Sequence, residues 1–137
     1  MKDDKGKILG EELSRIGYAG EKDCGFLIPH AFIELHIEQG PVLENEGVTI
    51  GVVENLQGIS WTEVIISGQA NHAGTTPMRL RIDAGYCASM LATFVHDLAL
   101  EIGEPQVGTI GVIELKPNII NVVPGSARVT IDLRNPD

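Results

Sequence analysis

The chain has 137 residues, a length typical of one domain or of part of a larger protein. Hydrophobic residues make up 43% and charged residues 21%, which is the composition of a folded globular protein. Nineteen acidic residues against ten basic ones give a net charge of −9. This balance argues against a nucleic-acid binder or a ligand of anionic membrane surfaces, because both partners require a basic face.

The two cysteines, Cys24 and Cys87, fit no metal-binding spacing and are too few for a disulfide framework. We therefore expect free thiols in a reducing compartment. The N-terminal sequence MKDDKGKILGEEL contains no apolar stretch of a secretory signal, and no run approaches the roughly 18 apolar residues of a membrane span. The sequence predicts a cytoplasmic protein without a membrane segment.

The first part of the chain contains one strand pattern between two short helical patterns. A helix is predicted from Leu9 to about Ile16, and the run PVLENEG predicts a helical turn ended by Gly47. Between them, AFIELHIEQG (31–40) alternates apolar and polar residues, which predicts a half-buried strand. Residues 48–58 indicate a short strand or a crossover into a new unit.

The second part of the chain reads strand, helix, strand, strand. Strands are predicted at 59–69, 107–115 and 126–134, and an amphipathic helix from Asp83 to Ile102. The apolar stripe predicted for this helix comprises Cys87, Met90, Leu91, Phe94, Val95, Leu98 and Ile102. This order predicts an α/β sandwich with an antiparallel sheet.

His36 lies on the polar side of the predicted strand, shortly before Gly40. A strand end next to a glycine is a common place to present a metal ligand, and Glu34 or Glu38 is available to orient the ring. A solvent-exposed surface histidine is the alternative. No second ligand follows at the spacing of a complete zinc motif such as HExxH.

His72 follows a predicted strand, within the run NHAGTTPM (71–78). Ala73 and Gly74 add little bulk, so a ligand can approach the ring closely. A histidine in this setting can donate a hydrogen bond to a developing oxyanion. A turn histidine without a role is the alternative.

Asn121 and Arg134 form a candidate anion-binding pair. A guanidinium grips a carboxylate through two hydrogen bonds, and an amide can fix the second oxygen. The alternative for Arg134 is a solvated residue on the outward side of an alternating strand. For Asp83 with Arg81, the sequence predicts helix capping and a local ion pair rather than catalysis.

Three stretches occur together in this chain: ELHIEQGPVLE (34–44), GQANHAGTTPMRLRIDA (68–84) and PNIINVVPGSARVTIDLRNPD (117–137). In this order and at these distances they resemble the metal-dependent amidohydrolases that cleave N-carbamoyl groups. That family includes N-carbamoyl-L-amino-acid hydrolases, β-ureidopropionase and allantoate amidohydrolase, within the wider zinc peptidase and aminoacylase clan. The resemblance covers nearly the whole chain.

The resemblance implies a catalytic domain with a two-metal site and a smaller lid domain that also forms a homodimer. Residues 1–57 then correspond to the C-terminal part of the first catalytic-domain segment. Residues 58–137 correspond to the lid/dimerisation domain, truncated before its last helix and strand. The expected fold is therefore the end of a catalytic α/β domain followed by an incomplete lid, an antiparallel sheet with a helix packed on one face.

The resemblance also implies roles for individual residues. His36 matches a metal ligand, with Gln39 near the substrate. His72 matches the lid histidine that polarises the scissile carbonyl or stabilises the tetrahedral intermediate, and that in several relatives reaches the partner subunit's site. Asn121 and Arg134 match residues that bind the substrate carboxylate. Two divalent ions, zinc or manganese, are implied, and this chain supplies one ligand.

The expected activity is hydrolysis of the carbamoyl (ureido) group of N-carbamoyl-L-amino acids or allantoate-like small molecules. We expect the chain alone to be inactive, because the family's other metal ligands and its general base match no part of it. Two alternatives stay open: a related dipeptidase or deacylase, and a dimerisation module without catalytic duty. The GTTPM run and the HIEQG strand favour the carbamoylase branch.

Overall fold

The computed structural model describes all residues from Met1 to Asp137 and divides into two compact units, Met1–Ile50 and Gly51–Asp137. The assignment of residues 1–57 and 58–137 to a catalytic and a lid domain stays a prediction. None of the helices combines the length and the apolar composition needed to cross a membrane.

The first unit contains two short helices, α1 (Leu9–Arg15) and α2 (Val42–Glu46). Both were predicted from the sequence. Helix α2 ends at Gly47, whose φ of 68° lies in the left-handed region that glycine adopts without a steric penalty. No residue of this unit is buried.

The strand predicted for residues 31–40 is wrong, because the structure forms no strand there. The three alternating apolar side chains of this segment, Ile33, Leu35 and Ile37, are 94%, 90% and 75% exposed. An alternating segment becomes a strand only when its backbone N–H and C=O groups bond to a neighbouring strand. The first unit offers no such neighbour.

The second unit is built on a three-stranded antiparallel sheet. Its strands are β1 (Gly58–Ser67), β3 (Val107–Lys116) and β5 (Ser126–Asn135). Helix α3 (Ala84–Ile102) lies between β1 and β3 in the chain. Strand β5 lies between β1 and β3 and pairs antiparallel with both. The predicted antiparallel sheet with a helix packed on one face is confirmed.

Helix α3 begins as predicted but turns a different face to the sheet. Its buried residues are Ala84, Ala88 and Val95. Four members of the predicted stripe, Cys87, Met90, Phe94 and Ile102, are exposed instead, and only Leu91, Val95 and Leu98 are buried or half-buried. The two alanines let the helix approach the sheet closely, against Ala127 and Val129 of β5.

A second, very short antiparallel pair lies beyond one end of the main sheet. It consists of β2 (Asn71–His72) and β4 (Val122–Val123). The Gly68 N–H donates to the Gly125 carbonyl over 2.8 Å where the chain leaves the main sheet. A side chain on Gly68 would collide with the Ile82 carbonyl, so this crossing requires glycine.

Candidate functional site

One ring nitrogen of His72 accepts a hydrogen bond, and the other has no hydrogen-bond partner. Its Nδ1 lies 3.0 Å from the Gly74 backbone N–H, which donates to it. A neutral imidazole has one acceptor and one donor nitrogen, so accepting at Nδ1 places the proton on Nε2. His72 is exposed, and it therefore presents an Nε2–H donor to a ligand.

Two backbone hydrogen bonds hold the turn that carries His72. The Thr76 N–H donates to the His72 carbonyl over 3.2 Å, and the Ala73 N–H donates to the Asn121 carbonyl over 2.9 Å. The structure thus brings His72 and Asn121 together, through the pairing of β2 with β4.

The local ion pair predicted between Arg81 and Asp83 is wrong. Asp83 caps helix α3, accepting from the backbone N–H groups of Gly85 and Tyr86. Arg81 donates instead to two backbone carbonyls of the His72 turn, those of Ala73 and Thr76. The capping part of the prediction is confirmed.

Arg134 lies at the other end of the sheet from His72. Strand β5 runs from Ser126, beside the β2–β4 pair, to Arg134, which is eight residues on and about 26 Å away at about 3.3 Å per residue. Asn121 contacts the His72 turn, so the structure places Asn121 and Arg134 toward opposite ends of the main sheet, and their joint role stays a prediction.

The guanidinium of Arg134 is held along one edge by Asp132. Its Nε and Nη2 donate to this carboxylate over 2.9 and 2.7 Å, which leaves Nη1 outside the pair. These hydrogen bonds hold the pKa of the Asp132 carboxyl below its usual value and raise the pKa of Arg134. Both side chains are partly exposed, at 28% and 37%.

The lowered pKa of Asp132 predicts an acid-sensitive contribution to stability. A carboxyl whose pKa falls on folding stabilises the folded chain above its unfolded pKa, and this contribution disappears as the pH falls through the folded pKa. We expect an NMR titration to place the Asp132 midpoint below 3.8, its ordinary value. Arg134→Gln should return the midpoint toward that value, and equal midpoints in both proteins would contradict the pairing.

Another arginine of β5, Arg128, is engaged in a separate ion-pair network. It contacts Glu63 of β1 over 2.7 Å and Glu114 of β3 over 3.4 Å, which links the three strands on the face away from α3. The hydrogen bond from Arg128 to Glu63 raises the pKa of the guanidinium. This network accounts for Arg128 in structural terms.

His36 and Gln39 belong to the first unit, and both are exposed. The Nδ1 of His36 lies 2.8 Å from the Ile37 carbonyl, which only accepts, so the ring keeps its Nε2 lone pair free. Neither Glu34 nor Glu38 bonds the ring as predicted, and the Glu38 carboxylate accepts from the Leu43 N–H. A metal ligand requires such a free nitrogen lone pair.

The donor groups of this chain do not by themselves complete a two-metal centre. Such a centre needs several convergent ligands, and the structure gathers no group of three or more His, Cys, Asp or Glu side chains that could hold an ion. His36 alone holds neither of two ions.

The contacts that three residues make around the candidate site were not predicted from the sequence. Gly74, Arg81 and Asp132 act through the backbone of the turn or through another side chain. The usable signals were weak: a glycine two residues after a histidine, an arginine before the cap of α3, and an acidic residue two positions before an arginine on one strand face.

The chain is similar to segments of proteins named as amidohydrolases. No protein-family profile matches the chain. The N-carbamoyl-L-amino-acid amidohydrolase of Rhizobium meliloti is 43% identical over 136 residues, covering 99% of this chain and 33% of that protein. The allantoate amidohydrolase of Escherichia coli K12 is 44% identical over 126 residues, covering 85% of this chain and 31% of that protein.

A solved structure shows the same fold. The crystal structure of an amidase of the hydantoinase/carbamoylase family from Burkholderia multivorans is similar with a TM-score of 0.86 and 48% identity, over 99% of this chain and 33% of that one. Together with the relatives, it shows that the chain corresponds to a segment of proteins named as amidohydrolases and amidases. Within this class, the chain corresponds to about one third of a hydantoinase/carbamoylase-family amidase, which confirms the resemblance.

Proposed function

We propose that the chain is the segment of an amidohydrolase that cleaves the carbamoyl (ureido) group of N-carbamoyl-L-amino acids or allantoate-like substrates. The names of its relatives support this substrate class. The observation that carries the proposal is the His72 ring, which is exposed and has Nδ1 occupied, so that Nε2–H is free to donate.

His72 is proposed to stabilise the oxyanion that forms when the carbamoyl carbon is attacked. A fixed N–H donor stabilises such charge without reorganisation during the reaction. The hydrogen bonds of the turn to Asn121 and Arg81 hold the donor in place before substrate binds. Since Nε2 is the donor in the neutral ring, this role needs no protonation of His72.

Arg134 and Asn121 are proposed to bind the substrate carboxylate in a site shared by two copies of the chain. The position of Asn121 and Arg134 toward opposite ends of the sheet in one chain supports a shared site, in which one copy contributes His72 and Asn121 and the other Arg134. A two-fold dimer provides two such sites. Asp132 holds one edge of the Arg134 guanidinium and thereby orients Nη1.

From the family resemblance, we also propose that the intact enzyme binds two divalent ions, zinc or manganese. His36 is proposed as the one metal ligand from this chain, and Gln39 is proposed to lie near the substrate. The free Nε2 lone pair of His36 supports its role as a ligand. A cytoplasmic location is consistent with Cys24 and Cys87, which are both exposed and unpaired.

A chimeric enzyme tests the proposed function. The 136-residue region of the Rhizobium meliloti enzyme that matches this chain would be replaced by the chain itself. The purified chimera would be assayed with an N-carbamoyl-L-amino acid, allantoate and an N-acetyl-L-amino acid, with the unmodified enzyme as the control. We expect hydrolysis of a ureido substrate by the chimera and none by the chain alone.

Two other outcomes of the chimera experiment would favour the alternative functions. Preference for the N-acetyl substrate would replace the carbamoylase proposal with the deacylase alternative. A chimera that matches the control in secondary structure and oligomeric state but hydrolyses nothing would favour the dimerisation module.

A further inference from the structure

Arg81 binds the turn that carries His72, and the ion pair with Asp83 that the sequence predicted for it does not form. Its Nη2 donates to the Ala73 carbonyl over 2.6 Å and its Nε donates to the Thr76 carbonyl over 3.0 Å. We propose that Arg81 is a positioning residue, which fixes the tautomer of His72 by holding this turn closed. The inference rests on the proposed function of His72.

Along the chain, the Ala73 and Thr76 carbonyls lie on either side of the Gly74 N–H, which is the group that sets the tautomer of His72. Gly74 lies between Ala73 and Thr76, and its N–H donates to Nδ1 of His72. Gly74 also packs against the ring: a Cβ built there would lie 3.2 Å from Cε1 of His72. When Arg81 binds both carbonyls, the Gly74 N–H stays directed at Nδ1 and the proton stays on Nε2. An open turn would release Nδ1, and the ring would populate both tautomers.

An arginine suits this position better than a lysine. Its Nε and Nη2 lie on one rigid, planar edge and donate to two acceptors at a fixed spacing, whereas an ammonium is a point charge on a flexible stem. The side chain is partly buried. The nearby acid Asp83 bonds the Gly85 and Tyr86 N–H groups, so the hydrogen bonds of Arg81 serve the turn.

The test is NMR spectroscopy of the 137-residue chain with labelled histidine rings. In the unmodified chain we expect ring nitrogen shifts of a neutral His72 with Nε2 protonated. In Arg81→Met we expect shifts of mixed tautomers. Losing hydrogen bonds to a charged group should also accelerate hydrogen exchange at Gly74 and Thr76 about tenfold. Arg79→Met is the matched control, because Arg79 is exposed in the same turn region.

The outcomes separate positioning from a purely structural role. Unchanged ring shifts and exchange in Arg81→Met would overturn the inference, as would equal changes in Arg79→Met. If Arg81→Met does not fold, Arg81→Lys decides: we expect a folded chain with tautomers between the two extremes, and an unchanged Nε2–H tautomer would overturn the proposal.

The chimeric enzyme separates this inference from the proposed function. There, Arg81→Met should lower kcat with a smaller change in KM, and Arg81→Lys should restore part of the loss. A tautomer shift in the chain together with an unaffected kcat in the chimera would retain Arg81 as the residue that sets the tautomer. It would remove His72 from the chemistry.

Discussion

Replacing His72 by alanine in the chimeric enzyme should lower kcat by ~10²–10³, which is the typical cost of losing one oxyanion donor. The donor acts on charge that develops in the transition state, so KM should change much less than kcat. The ring is exposed and its only described hydrogen bond is to Gly74, so its removal leaves the sheet and α3 intact. Steady-state kinetics with the preferred ureido substrate measure both constants.

His96 provides the matched control for this experiment. It is also exposed, and it lies on α3 with Nδ1 3.1 Å from the Asp97 carboxylate, outside the His72 turn. His96→Ala should keep the turnover of the parent chimera, and both variants should keep its oligomeric state and metal content. A His72→Ala chimera that retains most of its turnover would exclude the oxyanion role, and one that loses its metal would indicate a structural effect instead.

The fold of the second unit was predictable because its elements satisfy their own requirements within the chain. The alternating residues of β5 find β1 and β3 on either side, so pattern and pairing agree. Residues 31–40 alternate just as clearly but lie beside no strand, and an alternating pattern carries no information about its partners. The same limit applied to α3, where bulk apolar residues suggested the buried face and close packing selected Ala84 and Ala88.

The candidate site was predictable only for side chains that carry their own chemistry. His72, Asn121 and Arg134 stood out because their side chains can donate to an oxyanion or a carboxylate, while their roles came from the family resemblance and stay predictions. Gly74 and Arg81 act by placing a backbone N–H and by binding backbone carbonyls, which leaves little trace in residue type or spacing. The separation of Arg134 from Asn121 follows from the direction of β5, and required the sheet topology to be known.

Replacing Arg134 by lysine in the chimeric enzyme should raise KM roughly ten- to hundredfold with little change in kcat. The charge remains, but a lysine cannot hold Asp132 along one edge while presenting a second donor to the substrate. Hydrogen bonds to charged groups contribute about 1.5–3 kcal/mol, which corresponds to this range. Because the carboxylate takes no part in the reaction, its binding energy is lost equally from the ground state and the transition state.

Arg128→Lys is the matched control, since Arg128 lies on the same face of the same strand but bonds Glu63 and Glu114. It should leave KM unchanged. A second substrate, in which a neutral carboxamide replaces the carboxylate, tests for direct contact. If Arg134 contacts the carboxylate, the effect of the Arg134 substitution on KM depends on which substrate is used. Arg134→Lys should raise KM for the carboxylate substrate and leave it unchanged for the carboxamide. An equal increase for both substrates would mean that Arg134 supports the structure of the site and does not bind the carboxylate.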